Sequence, residues 1–185
     1  LHDFPEGTLY LREYAALILS RALGWPNVPP TLIRHGPLGL GSFQLFINSN
    51  STATYFDLIS NRVEDLHRIA VFDLLANNAD RKASHCLLGK DGQIWSIDHG
   101  LTFHTKFKLR TAMIDFWGQP IAPHLLPDLN SLLAQLAPTN ELTKQLAEAI
   151  TLQEIKALIA RLHLALDNPF IPILDPYLNV PWPLT

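Results

Sequence analysis

The dipeptide Asp91-Gly92, between two short apolar runs, is the feature that most constrains how this chain can fold. Asp-Gly between such runs is typical of a two-residue turn that joins two antiparallel strands. The sequence therefore predicts a β-hairpin with strands over residues 85–89 and 93–97.

A two-residue turn also fixes which residues face each other across the hairpin. Lys90 would pair with Gln93, and continuing that register places His85 opposite Asp98. Directly opposed residues have Cβ atoms about 4.5–5.5 Å apart. The sequence thus predicts that an imidazole and a carboxylate lie side by side at the open end of the hairpin.

The segment before the hairpin adds two charged residues to the same end. A helical pattern over about residues 55–75 ends in Asn77-Asn78, and residues of this type favour turns. Asp80 and Lys82 follow directly before the first predicted strand. We expect them to lie close to His85 and Asp98 at the open end of the hairpin.

These residue types match the needs of phosphoryl transfer. Asp80 could orient or deprotonate an attacking hydroxyl, and Lys82 could bind the phosphoryl group. His85 and Asp98 could share one divalent cation. Taken singly, Asp80 is equally explained as a helix-ending turn and Lys82 as a solvated lysine, so the prediction depends on their combination.

The other patterns predict an α+β fold. Residues 9–23 have helical periodicity, and residues 31–34 and 42–47 read as short strands. Three further helices are predicted in the C-terminal part, followed by an irregular tail from residue 168; their expected N-caps are Asp128, Asn140 and Thr151, the last with Glu154 in a capping box.

Composition narrows the function classes. The chain has 185 residues, 48% of them hydrophobic, and a formal net charge of −3, which favours one globular domain and no nucleic-acid partner. No apolar run approaches the roughly 20 residues of a membrane span. Cys86 is the only cysteine, which fits a cytoplasmic protein. Because the chain begins at Leu1 and Met113 is its only methionine, we expect a fragment of a longer protein.

The order of the motifs resembles the catalytic and metal loops of the protein-kinase superfamily. Asp80, Lys82 and His85 match the spacing Asp-x-Lys-x-x-Asn, with histidine in the asparagine position, and Asp98-His99-Gly100 resembles Asp-Phe-Gly. The Asp80-Arg81 pair is more similar to the Asp-Arg-His-x-x-Asn loop of phosphatidylinositol 3- and 4-kinases. Residues 77–82, 97–100 and 109–111 resemble an actinobacterial and Chloroflexi group of uncharacterised lipid-kinase-like proteins.

The resemblance implies a kinase-like architecture and its ligands. Residues 1–48 would be part of a small N-terminal lobe, and residues 49–185 would be a mostly helical C-terminal lobe with a catalytic β-hairpin. The implied cofactors are ATP and Mg²⁺ or Mn²⁺. The implied partners are the nucleotide and a phosphate acceptor whose identity the resemblance leaves open.

The resemblance also implies nucleotide-binding residues outside the hairpin. Glu13 would lie on the regulatory helix that pairs with the nucleotide-binding lysine of such kinases. Residues 42–47 would lead into the hinge, so the backbone near Phe46, Ile47 and Asn48 would contact adenine.

Two departures from the family pattern keep a second hypothesis open. Histidine replaces asparagine at His85, and imidazole favours softer ions than Mg²⁺. No lysine precedes Lys82, and the Gly-rich loop is absent from the sequence. We expect kinase activity when an upstream segment supplies these parts, and a catalytically inactive, pseudokinase-like nucleotide-binding module otherwise.

A third hypothesis is a metallohydrolase. It would use His85, Asp98, His99 and His104 as ligands, although no His-x-His or His-x-x-x-His spacing supports it.

Overall fold

The computed structural model describes residues 4–50 and 52–184, so residues 1–3, 51 and 185 of the two predicted lobes lie outside the described residues. The predicted α+β class is confirmed: helices dominate, and the strands form two separate antiparallel pairs. In chain order the elements are α1 Leu9–Leu23, β1 Thr31–Gly36, β2 Gly39–Gln44, α2 Tyr55–Leu58, α3 Val63–Ala76, β3 Cys86–Leu88, β4 Ile94–Ser96, α4 Leu126–Gln135, α5 Glu141–Ala147 and α6 Leu152–Asp167.

The core forms where the apolar faces of α1, α3, α4, α5 and α6 meet. Leu19, Leu66, Leu129 and Leu158 are fully buried at this junction. Helices α1 and α6 are also joined by a buried ion pair between Arg12 and Glu154. Helix α3 thus has a rigid support, and the loop that follows it begins from a fixed position.

The single helix predicted over residues 55–75 is wrong, because the structure divides it into α2 and α3. The backbone N–H groups of Asn61 and Arg62 both donate to the Leu58 carbonyl and close the short helix with a turn. The side chain of Arg62 then reaches Asp65 at 2.8 Å and the Gly92 carbonyl at 2.8 Å. The break therefore connects the start of α3 to the tip of the hairpin.

Strands β1 and β2 form an antiparallel ribbon, and its second strand lies earlier in the sequence than predicted. Strand β1 pairs with β2 from Thr31 opposite Gln44 to Gly36 opposite Gly39. The second strand ends at Gln44, so the predicted strand over residues 42–47 is wrong in its position. The turn falls directly after Gly36, where Gly39 has a φ of 105° that favours glycine.

The predicted hairpin exists, but its predicted register is wrong by one residue. Cys86 lies opposite Ser96, and the backbone N–H of Gly89 donates to the Gln93 carbonyl at 2.9 Å. The loop therefore has three residues instead of two. Gly92 has a φ of 78°, which fits a three-residue hairpin loop that ends in a left-handed glycine.

The C-terminal helices agree in part with their predicted caps. Thr151 and Glu154 form the predicted capping box of α6, and Asn140 directly precedes α5. The predicted cap at Asp128 is wrong, because α4 already begins at Leu126 and the Asp128 carboxylate accepts a hydrogen bond from Trp25 Nε1 at 2.8 Å. Among the described residues, no helix combines the length and the apolar character that crossing a bilayer requires.

Candidate active site

The loop after α3 is anchored by Asn77. This residue adopts a left-handed conformation with a φ of 55° and ends the helix. Its side-chain nitrogen donates to the carbonyls of His104 and Lys106 at 2.9 and 2.7 Å, and its oxygen accepts from the Lys108 N–H at 2.8 Å. One asparagine therefore fixes the start of the catalytic loop against the segment at residues 104–108.

A buried ion pair holds the next part of the loop. The guanidinium of Arg81 has no solvent exposure and donates to both carboxylate oxygens of Asp73 on α3, at 2.6 and 2.9 Å. Asn78 Nδ2 adds a third hydrogen bond to Asp73 at 3.0 Å. Burial on this scale is tolerated when the two charges are paired and hydrogen-bonded.

The same guanidinium reaches the second loop. Arg81 Nη1 donates to the Ile97 carbonyl at 2.8 Å, and Nη2 lies 3.0 Å from His99 Nε2. Because a guanidinium can only donate, Nε2 of His99 accepts, and the proton of the neutral ring is on Nδ1. Burial and the Arg81 charge lower the pKa of His99 well below its usual range, so the ring is neutral. Arg81 thus joins the predicted catalytic and metal loops through one buried side chain.

The predicted proximity of His85 and Asp98 is confirmed. His85 Nε2 lies 3.2 Å from Asp98 Oδ2. Strand pairing does not place them there, because the ladder stops at Cys86 and Ser96. Instead, His85 is the last residue of a 3₁₀ turn over Ala83–His85. The backbone N–H of Ile97 donates to the His85 carbonyl at 3.1 Å, and the next residue, Asp98, has a left-handed backbone with a φ of 60°.

The four predicted residues affect one another electrostatically at the open end of the hairpin. Lys82 Nζ lies 3.8 Å from Asp80 Oδ2. Burial raises the pKa of Asp80; the Lys82 charge lowers it and the Asp98 charge raises it. The Asp98 carboxylate is 57% exposed, so it can be reached from solvent. Asp80, Lys82, His85 and Asp98 therefore lie within electrostatic reach of one another.

The ring of His85 carries no charge in this arrangement. Burial, with the nearby Arg81 charge, lowers the pKa of His85 to about 4, so its ring is neutral. Its Nδ1 accepts from the Lys82 N–H at 3.4 Å, which leaves the ring proton on Nε2, the atom that lies 3.2 Å from Asp98 Oδ2. Ligating a metal through Nε2 would require the ring to change this tautomer.

Glu13 lies close to the backbone at His99 and Gly100, and its predicted pairing with a nucleotide-binding lysine stays a prediction. Its Oε2 lies 4.0 Å from His99 Nδ1, and neither atom has a hydrogen-bond partner among the described residues. Burial raises the pKa of Glu13, and the N–H groups of His99 and Gly100 partly oppose this rise. The proposed lysine-pairing carboxylate therefore faces the second loop.

The predicted hinge residues lie away from these four side chains. Phe46 is 87% exposed, and the Asn48 carbonyl accepts from the Lys90 N–H at 3.0 Å. Within the described residues, no hydrogen bond or ion pair connects Phe46, Ile47 or Asn48 with the catalytic loop. Their contact with a nucleotide stays a prediction.

The metallohydrolase hypothesis finds no matching cluster. In the described ranges 4–50 and 52–184, no group of three or more His, Cys, Asp or Glu side chains could hold a metal ion. His99 instead binds Arg81, and His104 Nδ1 accepts from the Lys106 N–H at 3.0 Å. The prediction that these histidines form one metal centre with His85 and Asp98 is wrong.

A comparison with protein families shows which family the chain belongs to. Residues 36–165 match the model of the phosphatidylinositol 3- and 4-kinase family. The chain belongs to the phosphatidylinositol 3- and 4-kinase family. The predicted family is thereby confirmed, and the match includes both loops described above.

Individual relatives show how far the similarity extends. Protein Rv2133c of Mycobacterium tuberculosis is 36% identical over an alignment of 218 positions, which covers 99% of this chain and 78% of the relative. Phosphatidylinositol 4-kinase gamma 4 of rice (Oryza sativa subsp. japonica) is 32% identical over 66% of this chain. Phosphatidylinositol 4-kinase gamma 3 of Arabidopsis thaliana is 34% identical over 62% of this chain.

The chain spans only about a quarter of the plant lipid kinases, 26% and 25% of their lengths. The mycobacterial relative accords with the actinobacterial group predicted from the sequence. Glu13 lies outside the range that matches the family model. Its role therefore depends on its position beside the metal loop.

Sequence reasoning missed the residues that hold the two loops of this candidate site together. Asp73, Asn77 and Asn78 were expected only as part of a helix or turn, and Arg81 only as part of a motif. A signal was present at Asp73: it is the only charged residue in the apolar run at residues 69–76. A carboxylate inside such a run needs a buried partner.

Proposed function

We propose that this chain is the catalytic and metal-binding half of an ATP- and divalent-metal-dependent phosphotransferase, with a phosphate acceptor yet to be identified. The observation that supports it best is the convergence of two carboxylates, a lysine and an imidazole at the open end of the hairpin. Family membership favours a lipid-kinase-like reaction. In this proposal residues 1–48 belong to a partial N-terminal lobe and residues 49–185 to the C-terminal lobe.

Asp80 is assigned to the attacking hydroxyl of the acceptor. Its carboxylate is partly buried, and its raised pKa favours its ability to accept a proton. Lys82, 3.8 Å away, supplies a positive charge for the transferred phosphoryl group. Transfer of the phosphoryl group requires a carboxylate for the acceptor hydroxyl and a nearby positive charge, and Asp80 and Lys82 would supply these two groups.

The donor set fits a divalent cation that the nucleotide holds in part. Mg²⁺ is usually bound by one or two carboxylates together with substrate phosphates. Asp98 is an exposed carboxylate that could serve in this way, and His85 is the neighbouring donor. When bound, the cation would neutralise phosphate charge; Mn²⁺ suits an imidazole donor better than Mg²⁺.

The proposal includes two further contacts. The backbone near Phe46, Ile47 and Asn48 binds adenine, and Glu13 pairs with a lysine from outside this sequence. The unpartnered Oε2 of Glu13 supports the second point, since it leaves an acceptor for a cation.

The test is turnover by the purified full-length protein. ATP hydrolysis or label transfer should require Mg²⁺ or Mn²⁺ and should fall at least about 100-fold in Asp80→Asn and in Asp98→Asn. Asp167→Asn, an exposed carboxylate at the end of α6, is the matched control and should retain activity. Wild-type turnover equal to that of both site variants would refute the assignment.

One observation favours a second candidate, a pseudokinase-like nucleotide-binding module. In the described tautomer His85 Nε2, which lies 3.2 Å from Asp98 Oδ2, carries the ring proton and offers no lone pair to a metal. Thermal stabilisation by ATP without any turnover, in the full-length protein with either cation, would favour this alternative.

A further inference from the structure

A cavity is lined by residues of α3 and α6 and of the segments that carry Phe107 and Phe170. It has a volume of about 280 Å³, and its walls are mostly apolar, with Leu74, Phe107, Leu164 and Phe170 among them. Small-molecule sites typically measure about 300–1,000 Å³ and combine apolar walls with a few polar groups. This cavity is therefore suited to a small and largely apolar ligand.

Arg161 of α6 is the charged residue in the cavity wall. It is only 9% exposed, and its Nε donates to the Leu75 carbonyl at 2.7 Å while Nη1 donates to the His104 carbonyl at 3.3 Å. Its buried Nη2 has no hydrogen-bond partner within residues 4–50 and 52–184. The guanidinium therefore has N–H groups that no acceptor in these residues satisfies.

The charge of Arg161 also lacks a direct counter-ion. No carboxylate in the described part of the chain forms an ion pair with it. Burial lowers the pKa of Arg161 to about 10, and the more distant Glu154 only partly opposes this, so the group is still charged at neutral pH. A buried charge without a partner is costly, and a bound anion would remove that cost.

We propose that this cavity binds a small apolar carboxylate, whose oxygens accept from the Arg161 guanidinium and whose chain packs against Leu74, Phe107 and Phe170. The guanidinium fork matches a carboxylate in shape and charge. A phosphate would need more donors than these apolar walls provide, so a carboxylate is the better fit.

The location gives the site a direct connection to the loops. The carbonyls that Arg161 binds belong to Leu75, in the last turn of α3, and to His104, which Asn77 also binds. Arg161 itself therefore contacts the same backbone groups that hold the loop after α3.

The probe for this proposal is octanoate, titrated into the full-length protein by isothermal titration calorimetry without nucleotide or metal. Acetate has the charge without the chain, and octanol has the chain without the charge. Octanol lacks the hydrogen-bonded charge and acetate lacks the apolar chain that the cavity would bury, so each should bind at least about tenfold more weakly than octanoate. Octanol or acetate binding as tightly as octanoate would overturn the proposal, as would undetectable octanoate binding.

A matched pair of variants tests the role of the charge without disturbing Arg161 itself. Leu164 is 68% exposed and lies three residues after Arg161 on α6, so the two side chains are neighbours on the helix surface. Leu164→Glu places a competing carboxylate beside the guanidinium, whereas Leu164→Gln has nearly the same size and no charge.

Both variants lose the same apolar wall contact, but only Leu164→Glu adds a charge, so Leu164→Glu should bind octanoate at least about tenfold more weakly than Leu164→Gln. Equal affinities of the two variants would show that Arg161 does not hold the ligand. Because no step uses ATP, a failure here is distinct from a failure of the phosphotransfer proposal.

Discussion

The buried pair of Asp73 and Arg81 allows a quantitative prediction. Asp73→Asn keeps the shape of the side chain but removes the negative charge that neutralises Arg81. The two side chains are 1% and 0% exposed, and two hydrogen bonds of 2.6 and 2.9 Å join them. This is the fully desolvated case, in which losing one partner leaves an uncompensated charge in the interior.

The expected loss of unfolding free energy is about 3–5 kcal/mol, compared with about 0–1 kcal/mol for a surface pair. For a domain of this size that corresponds to a fall of roughly 6–20 °C in Tm. Urea unfolding of the protein, followed by tryptophan fluorescence, measures the free energy directly.

Asp65→Asn is the matched control on the same helix. Asp65 binds Arg62 at 2.8 Å, but both side chains are partly exposed, so its loss should stay below about 1 kcal/mol. Adding Arg81→Met to Asp73→Asn should recover part of the loss, because the unpaired charge is then gone. A loss of unfolding free energy below about 1 kcal/mol for Asp73→Asn would contradict the reasoning. So would a double variant whose loss equals the sum of the losses of Asp73→Asn and Arg81→Met measured singly.

Three further outcomes are expected. His85→Asn, which restores the amide of the kinase pattern, should shift the metal preference of label transfer from Mn²⁺ towards Mg²⁺; an unchanged preference would argue against His85 as a ligand. Gly92→Ala should lower stability by about 1–2 kcal/mol, because Gly92 has a φ of 78°, whereas Gly41→Ala, in open space with an ordinary φ, should change Tm little. Asn77→Ala removes the bonds to residues 104–108, so tryptic cleavage after Lys106 should become faster in timed digests, and an unchanged rate would contradict that role.

Local patterns predicted the parts of the site that depend on neighbouring residues. Asp91-Gly92 predicts a hairpin from turn chemistry alone, and Thr151 with Glu154 predicts the start of α6 because a capping box is complete within four residues. The contact of His85 with Asp98 was also predicted correctly, although the reasoning placed it in the strand ladder.

The errors arise where one local pattern is compatible with two structures, or where a contact distant in sequence overrides the local pattern. A two-residue and a three-residue loop are both compatible with Asp-Gly, and the Asp91 carboxylate, which accepts from the Gln93 N–H at 3.0 Å, supports the longer one. Asp128 has the composition of a helix cap, but Trp25, far away in sequence, donates to it. Arg81 has no local signal of burial, because its partner Asp73 belongs to another element.

The one-residue difference in the hairpin loop has a consequence for relatives with other loop lengths. His85 and Asp98 are held by Arg81 and by the bond from Ile97 to His85, all beyond the end of the strand ladder. Within the described residues, the tip of the hairpin instead bonds to Arg62 and Asn48. Insertions or deletions at residues 90–92 should therefore remove those bonds and leave the contact of His85 with Asp98 in place.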